Sequence, residues 1–496
     1  MIAKWMLAAA PLFAAFPSSL QAQASTPAPA VTAEQMMRHI KVLASDEYEG
    51  RKPGTAGENK TLYYIASQFA AIGLEPAGTE GWYQPVGLVE RKPASARVSW
   101  TWNGKPIDLD ASDFILVGKE ASESLSDAPA YFVGHGLVMP EAGIDQLAGL
   151  DLNGAVVFLW SGAPQGVENA PRYGERVEAL VARGAAGVIG ILSDDVPWRN
   201  AAAQSRGGST RLQIDPVPQI GGSVPSKVIS RLLQGSVEPD VDLKAFRPVR
   251  LDARATLDVT TSVRAYDSHN VIGRLRGTGK TGEHVLYLGH WDHLGICRPD
   301  SATDKICNGA VDNASGIAMM IEIARNIAHG KRPERDLLFM GTTAEEMGLL
   351  GAEYFGAKPV VSAQSIVAAI NIDTVAIAGK GEPVAIVGRG TTGLDGLVDE
   401  TTRELGRPID PDDEANAFVQ RQDGWALTKA GVPTVMVGGS FANMAKLMAF
   451  LGGPYHKPDD DLNRPIELEG AAEDTNLLIA LGRKLADPKR YQPKRN

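Results

Sequence analysis

Five short segments of the chain each end a hydrophobic run with a side chain of the kind that binds metal. In order they are Gly289-His290-Trp291-Asp292, Val311-Asp312-Asn313, Ala344-Glu345-Glu346, Ile372-Asp373-Thr374 and Tyr455-His456-Lys457. Around them the pattern is repeated strand–loop–helix. Val285–Leu288, Leu337–Met340, Ile366–Ile372 and Val435–Val437 read as buried strands, and Asn313–His329 reads as a helix with Ile317, Met320, Ile321, Ala324 and Ile327 on one stripe. Such alternation predicts an α/β fold: a mixed, largely parallel sheet with helices on both faces. Ligand-binding groups at the carboxyl ends of strands fit the general rule for open α/β sheets.

Zinc accepts imidazole nitrogen and carboxylate oxygen, and a catalytic site leaves a position for water. His290, Asp312, Glu346, Asp373 and His456 match the count for two zinc ions per chain, four terminal ligands and one bridging carboxylate. Any one of them alone would read as structural or solvent-exposed. Glu345 precedes Glu346 directly, and adjacent side chains diverge. One can bind metal while the other takes a proton from the attacking water and passes it to the leaving amine. Asp292 stands two residues past His290 and is expected to hold its other ring nitrogen. His293 is a rival ligand, disfavoured because Asp292 and His293 cannot easily both point at one ion beside His290. His39, His135, His269, His284 and His329 have no acidic partner in sequence and read as structural or surface residues.

The N-terminus has the form of a secretory leader over residues 1–24. Lys4 supplies the positive charge, Trp5–Phe16 a short apolar core, and Ala22-Gln23-Ala24 a small-x-small cleavage site. Pro11 and Pro17 interrupt the apolar run, which is too short to span a bilayer. No other stretch is apolar enough for a membrane helix, so no integral membrane segment is expected after leader removal. A net charge of −10 gives no basic field for nucleic acid or anionic lipid. Cys297 and Cys307 are the only cysteines, and in an exported protein they are expected to pair. Export points to the periplasm or the exterior.

Residues 32–127 read as the N-terminal part of the main domain. They hold a helix over Thr32–Ala44, a polar loop over Ser45–Thr55, and a second helix through Tyr63, Ile65, Phe69 and Ile72 that stops at Gly73. Residues 128–251 read as a Gly-rich, β-rich insertion, with strands at Ala130–Val133, Ala155–Trp160 and Val188–Leu192 and a helix at Arg176–Arg183. Residues 265–487 complete the main domain.

The series His290-x-Asp292, Asp312-Asn313-x-Ser315-Gly316, Glu345-Glu346, Asp373 and His456 resembles the motif order of the co-catalytic dizinc aminopeptidase family. That family also includes glutamate carboxypeptidase II, the transferrin receptor and glutaminyl cyclases. The likeness covers roughly Thr32–Leu125 and Asn270–Leu485, and Ser45–Thr55 is similar to the family's N-terminal loop. The insertion resembles a protease-associated domain through Gly134-His135-Gly136 and Leu152-Asn153-Gly154. The resemblance implies that Asp312 bridges, that His290 and Asp373 complete one zinc, and that Glu346 and His456 complete the other. It makes Glu345 the general base and Asp292 the orienting carboxylate. Where many relatives carry a Ser-Asp-His-like patch, this chain has Gln422-Asp423-Gly424-Trp425.

The expectation is therefore an exported zinc exopeptidase, an aminopeptidase acting on peptide or aminoacyl substrates. A carboxypeptidase on the same metals would need cations near the cleft, for which Arg389, Arg421 and Lys457 are candidates. A receptor-like binding protein should have lost ligands, and none is lost. The insertion disfavours a glutaminyl cyclase.

Overall fold

The computed structural model describes residues 29–162, 164, 166–167, 170–234 and 243–493. The expected leader, 1–24, lies outside the described residues. The strand His284–His290 shows why the second half folds as it does. Val285 and Tyr287 enter one core, while Leu286 and Leu288 enter another. A strand buried on both faces needs a layer on each side. On one side lie the helices Ala33–Leu43, Ala56–Ile72, Gly316–His329 and Leu468–Leu485. Their Ile40, Ile65, Ile321 and Leu477 share the core of Val285 and Tyr287. On the other side, Leu350–Ala357 and Gly424–Lys429 bring Phe355 and Leu427 to Leu286 and Leu288.

The strand order through this unit is Ala385–Val387, Thr434–Gly438, Ile366–Asn371, His284–His290, Asp336–Thr342, Val249–Leu275. The middle four run parallel, and both flanking strands are antiparallel to them. This is the mixed, largely parallel sheet with two helical layers that the sequence predicts.

Val249–Leu275 also carries the sheet onward. It pairs antiparallel with Tyr83–Trp102 along nearly the whole of that strand, and its first part pairs with Ser122–Phe132. From Leu251 to Val259 every second residue is buried and those between are exposed, the period-2 signature of a half-covered strand. Beyond it, Val156–Trp160, Gly187–Leu192 and Ile220–Pro225 continue in parallel. The core of this second unit includes Trp100, Phe114, Leu116 and Leu125. All four precede residue 128, where the insertion was expected to begin. The ribbon strands supply one wall of that core, so the boundary read from composition falls inside it.

Local chemistry fixes the ends of the supporting helices. Thr32 and Gln35 form a reciprocal capping box at the start of Ala33–Leu43. Gly73, at φ 87°, ends Ala56–Ile72 in the left-handed conformation that glycine adopts without a Cβ clash. Cys297 and Cys307 form a disulfide, with Cα atoms 5.8 Å apart, across the hairpin Gly295–Ile296/Ile306–Cys307. Among the described residues no helix is long and apolar enough to cross a membrane.

Candidate metal centre

Three adjacent parallel strands end at one edge of the sheet. His290 pairs with Thr342 on one side, and Leu288 pairs with Asn371 on the other. The chain leaving Asn371 thus brings Asp373 to one flank of His290, and the chain leaving Thr342 brings Glu345 and Glu346 to the other. Asp312 comes from the turn Ala310–Ser315 that leads into Gly316–His329. His456 follows the helix Met444–Gly452.

The helix expected from Asn313 starts instead at Gly316, and the reason is a partner far along the chain. The Asp460 carboxylate accepts from Val311 N–H at 3.0 Å and from Asp312 N–H at 3.0 Å. Those donors are thereby held away from helical geometry: Asp312 has φ −107°, ψ 96° and Asn313 φ −130°, ψ 38°, joined by a cis peptide bond. Asn313 then ties the edge together. Its Nδ2 donates to the carbonyls of Ile372 (2.9 Å) and His290 (3.4 Å), and its Oδ1 accepts from Gly316 N–H (3.0 Å) and Thr374 N–H (3.3 Å). Three non-glycine residues here hold positive φ: Ala344 at 53°, Thr374 at 51° and His456 at 59°. Each costs of order 1–3 kcal/mol and persists only where surrounding contacts over-determine it, as at functional sites.

The five predicted ligands come together. The two oxygens of Asp312 face two different partners: Oδ1 lies 3.3 Å from His290 Nε2, and Oδ2 lies 3.5 Å from His456 Nε2. Asp373 Oδ1 is 3.4 Å from His290 Nε2, and Glu346 Oε2 is 2.8 Å from His456 Nε2. One ligand atom from each of His290, Asp312 and Glu346 lies within 4.8 Å of the others. Burial works against the ionised Asp312, yet its bonds to His290 and His456 hold its pKa below the ordinary carboxylate range. Burial and the Asp312 charge would raise Glu346, but His293 and His456 keep it low. Burial opposes the charged His290 ring, yet Glu345 and Asp373 hold its pKa well above the usual value. Imidazole nitrogen with carboxylate oxygen is a donor set suited to zinc.

Glu345 and Glu346 diverge. Glu346 meets His293 Nδ1 at 2.5 Å as well as His456. The Glu345 carboxyl, by contrast, accepts no hydrogen bond among the described residues. Burial and the charges of Glu346, Asp373 and Asp423 push its pKa well up. Asp292 departs from its expected contact. Its carboxylate lies 3.9 Å from His290 Nδ1, beyond hydrogen-bond reach, and its own backbone carbonyl, at 3.2 Å, meets that nitrogen instead. The Asp292 carboxylate turns to Glu345 N–H at 3.1 Å, and burial raises its pKa to about 8.

His293 is fully buried beside Glu346 and packs its ring on His456, with centroids 5.7 Å apart. Asp423 accepts from the Thr342 hydroxyl while its other oxygen, buried, has no partner among the described residues; burial raises its pKa to about 6. Asp460 had no place in the site as read from sequence; it acts through the backbone amides of Val311 and Asp312, which no local pattern marks.

Residues 270–481 match the model of Peptidase family M28. A probable zinc metalloprotease of Pyrenophora teres f. teres is 35% identical over 105 residues, which is 21% of this chain and 22% of that protein. A glutamate carboxypeptidase 2 homologue of Caenorhabditis elegans is 21% identical over 496 aligned positions, covering 86% of this chain and 61% of that protein. Among solved structures, an aminopeptidase from Aneurinibacillus sp. strain AM-1 superposes with a TM-score of 0.54 at 19% identity, covering 94% of this chain and 98% of that one. That likeness establishes the fold.

Proposed function

We propose, from the Peptidase family M28 match over residues 270–481 and the site geometry, that the protein is a dizinc exopeptidase, and specifically an aminopeptidase. The carrying observation is Asp312, whose two oxygens face His290 and His456 at 3.3 and 3.5 Å. In this reading Asp312 would serve both ions, His290 and Asp373 would hold one zinc, and Glu346 and His456 would hold the other. Bound zinc supplies Lewis acidity to a peptide carbonyl and acidifies water. Glu345 is the general base: its carboxyl accepts no hydrogen bond among the described residues, and burial beside other carboxylates raises its pKa above the ordinary range, the direction that strengthens a base. Asp292 orients it by gripping its N–H. Asp423, with an unpartnered buried oxygen, adds to a carboxylate field that favours a cationic amine at the cleft.

A carboxypeptidase reading keeps one supporting observation. Arg389 is paired with Asp399 at 3.2 Å, and Lys457 donates to the Gly453 carbonyl. Arg421, however, lines a pocket with Asp373, Phe418, Phe441 and Tyr455, where a guanidinium could hold a carboxylate. The decisive assay compares an unblocked aminoacyl amide with its acetylated form. The amide is expected to be hydrolysed and the acetylated form to resist, because removing the charged amine leaves buried acceptors unpaired. Release of C-terminal residues from acetylated peptides, with no action on free amines, would overturn the aminopeptidase reading. Export through the leader at 1–24 to the periplasm or exterior, and a protease-associated role for the insertion, belong to the same proposal. The Cys297–Cys307 disulfide supports an oxidising compartment.

A further inference from the structure

Arg51 is 1% exposed, and among the described residues it makes no ion pair. Its guanidinium instead donates to four backbone carbonyls: Nε to Trp291 at 2.8 Å, Nη1 to Leu43 at 2.7 Å and Asn308 at 2.6 Å, and Nη2 to Gly309 at 2.9 Å. Trp291 directly follows His290, and Asn308 and Gly309 lead into the turn that carries Asp312. Arg51's own carbonyl accepts from His293 N–H at 3.4 Å, and His293 holds Glu346. One side chain thus joins two ligand-bearing segments to the end of the first helix.

The loop around Arg51 is built for this. Arg51 itself has φ 52°, a left-handed conformation that a long side chain rarely adopts. Gly50, at φ 63°, lies so close to the Cys307 carbonyl and to Gly295 that a Cβ would overlap both. Asp46 accepts from Asn308 Nδ2 at 2.7 Å. Burial lowers the Arg51 pKa to about 10, with Asp312, Asp460, Asp292 and Glu346 pulling the other way, so the side chain stays charged and keeps all its donors.

We infer that Arg51 is a positioning residue of the metal centre, which sets zinc affinity by fixing the His290 and Asp312 segments relative to each other. The inference rests on the dizinc reading. Residues that orient ligands from behind typically govern metal affinity about 10–100-fold. Lysine keeps the charge but cannot reach four carbonyls in a plane.

The test is a chelator-competition titration of the metal-free chain with zinc, comparing the unsubstituted protein with Arg51→Lys, Arg51→Gln and Arg335→Lys. Arg335 is the control: it is also fully buried and holds the Leu485 and Tyr491 carbonyls, outside the metal centre. Both arginine sites should lose thermal stability, but only the Arg51 variants should bind zinc about tenfold or more weakly. Equal zinc affinity in Arg51→Lys and Arg335→Lys would overturn the inference. Coupling between two sites is reciprocal, so the unsubstituted chain offers a second reading that needs no variant. Zinc should slow amide hydrogen exchange in residues 46–52 together with 308–312. Exchange in 46–52 that ignores zinc would also overturn it. Failure of the unsubstituted chain to bind zinc at all would instead remove the dizinc reading itself.

Discussion

Replacing Glu345 with glutamine separates the base from the ligands. The Glu345 carboxyl carries no hydrogen bond among the described residues, and its neighbours Glu346, Asp373 and Asp423 are acidic. The amide therefore breaks no hydrogen bond; it removes repulsion from those acidic neighbours together with the attraction to His290, so Glu345→Gln should fold with stability close to the parent's. Zinc content should be unchanged, because Glu346 reaches His456 and His293 independently. The rate should fall by ~10²–10⁴-fold, the usual contribution of a positioned acid–base group. That loss is about 2.7–5.4 kcal/mol of barrier. It should appear in kcat, with little change in KM, because the proton moves only in the transition state. The assay is steady-state hydrolysis of an unblocked aminoacyl anilide beside elemental analysis of the same sample. A variant with full zinc and more than about a tenth of parental kcat would refute the assignment. Lost zinc would show that Glu345 is a ligand.

Three further outcomes follow from the packing and charge. Metal-free protein should lose thermal stability as pH rises from about 5 to about 9. Asp423 and Asp292 titrate at about 6 and about 8 in the folded chain against 3.8 unfolded, and His456 at about 9 against 6.5. The folded state thus binds more protons across that window, which makes stability fall with pH; a melting temperature that climbs from pH 5 to 8 would contradict it. His269 also titrates above its usual value, through its bond to Glu58. Its contribution is present below pH 6.5 and fades as pH passes its folded pKa, so His269→Asn should be destabilised at pH 5.5 more than at pH 9, as read by urea midpoints. Gly482→Ala should cost about 1–3 kcal/mol by overpacking. Its new Cβ would overlap the Tyr287 hydroxyl, which donates to Leu478 O at 2.9 Å; a urea midpoint equal to the parent's would show that the helix can shift.

What the sequence makes legible is what local periodicity encodes. The runs ending at His290, Glu346 and Asp373 are apolar on both faces, so they read as central strands with polar groups at their ends, and the structure has them adjacent. The helix start was misplaced to Asn313 because Asp460, which holds the Val311 and Asp312 amides, lies 148 residues beyond Asp312. Asp292 was expected on the His290 ring, but its backbone carbonyl reaches that nitrogen first. His39 and His269 read as structural or surface residues in sequence, yet they bond Glu322 at 2.8 Å and Glu58 at 3.1 Å. Arg51 sits in a loop whose likeness to a family motif was visible, while its four carbonyl acceptors come from three separate segments. Asp292 aside, whose carbonyl takes the ring nitrogen from two residues away, the missing information is a long-range contact, which periodicity and spacing do not carry.

The central claim is that Asp312 stands between two metal ions. Crystals of zinc-loaded protein, measured on both sides of the zinc absorption edge, test it directly. The account predicts two anomalous peaks per chain with the Asp312 carboxylate between them, one beside His290 and Asp373 and the other beside His456 and Glu346. A single peak, or a second peak away from His456 and Glu346, would contradict it.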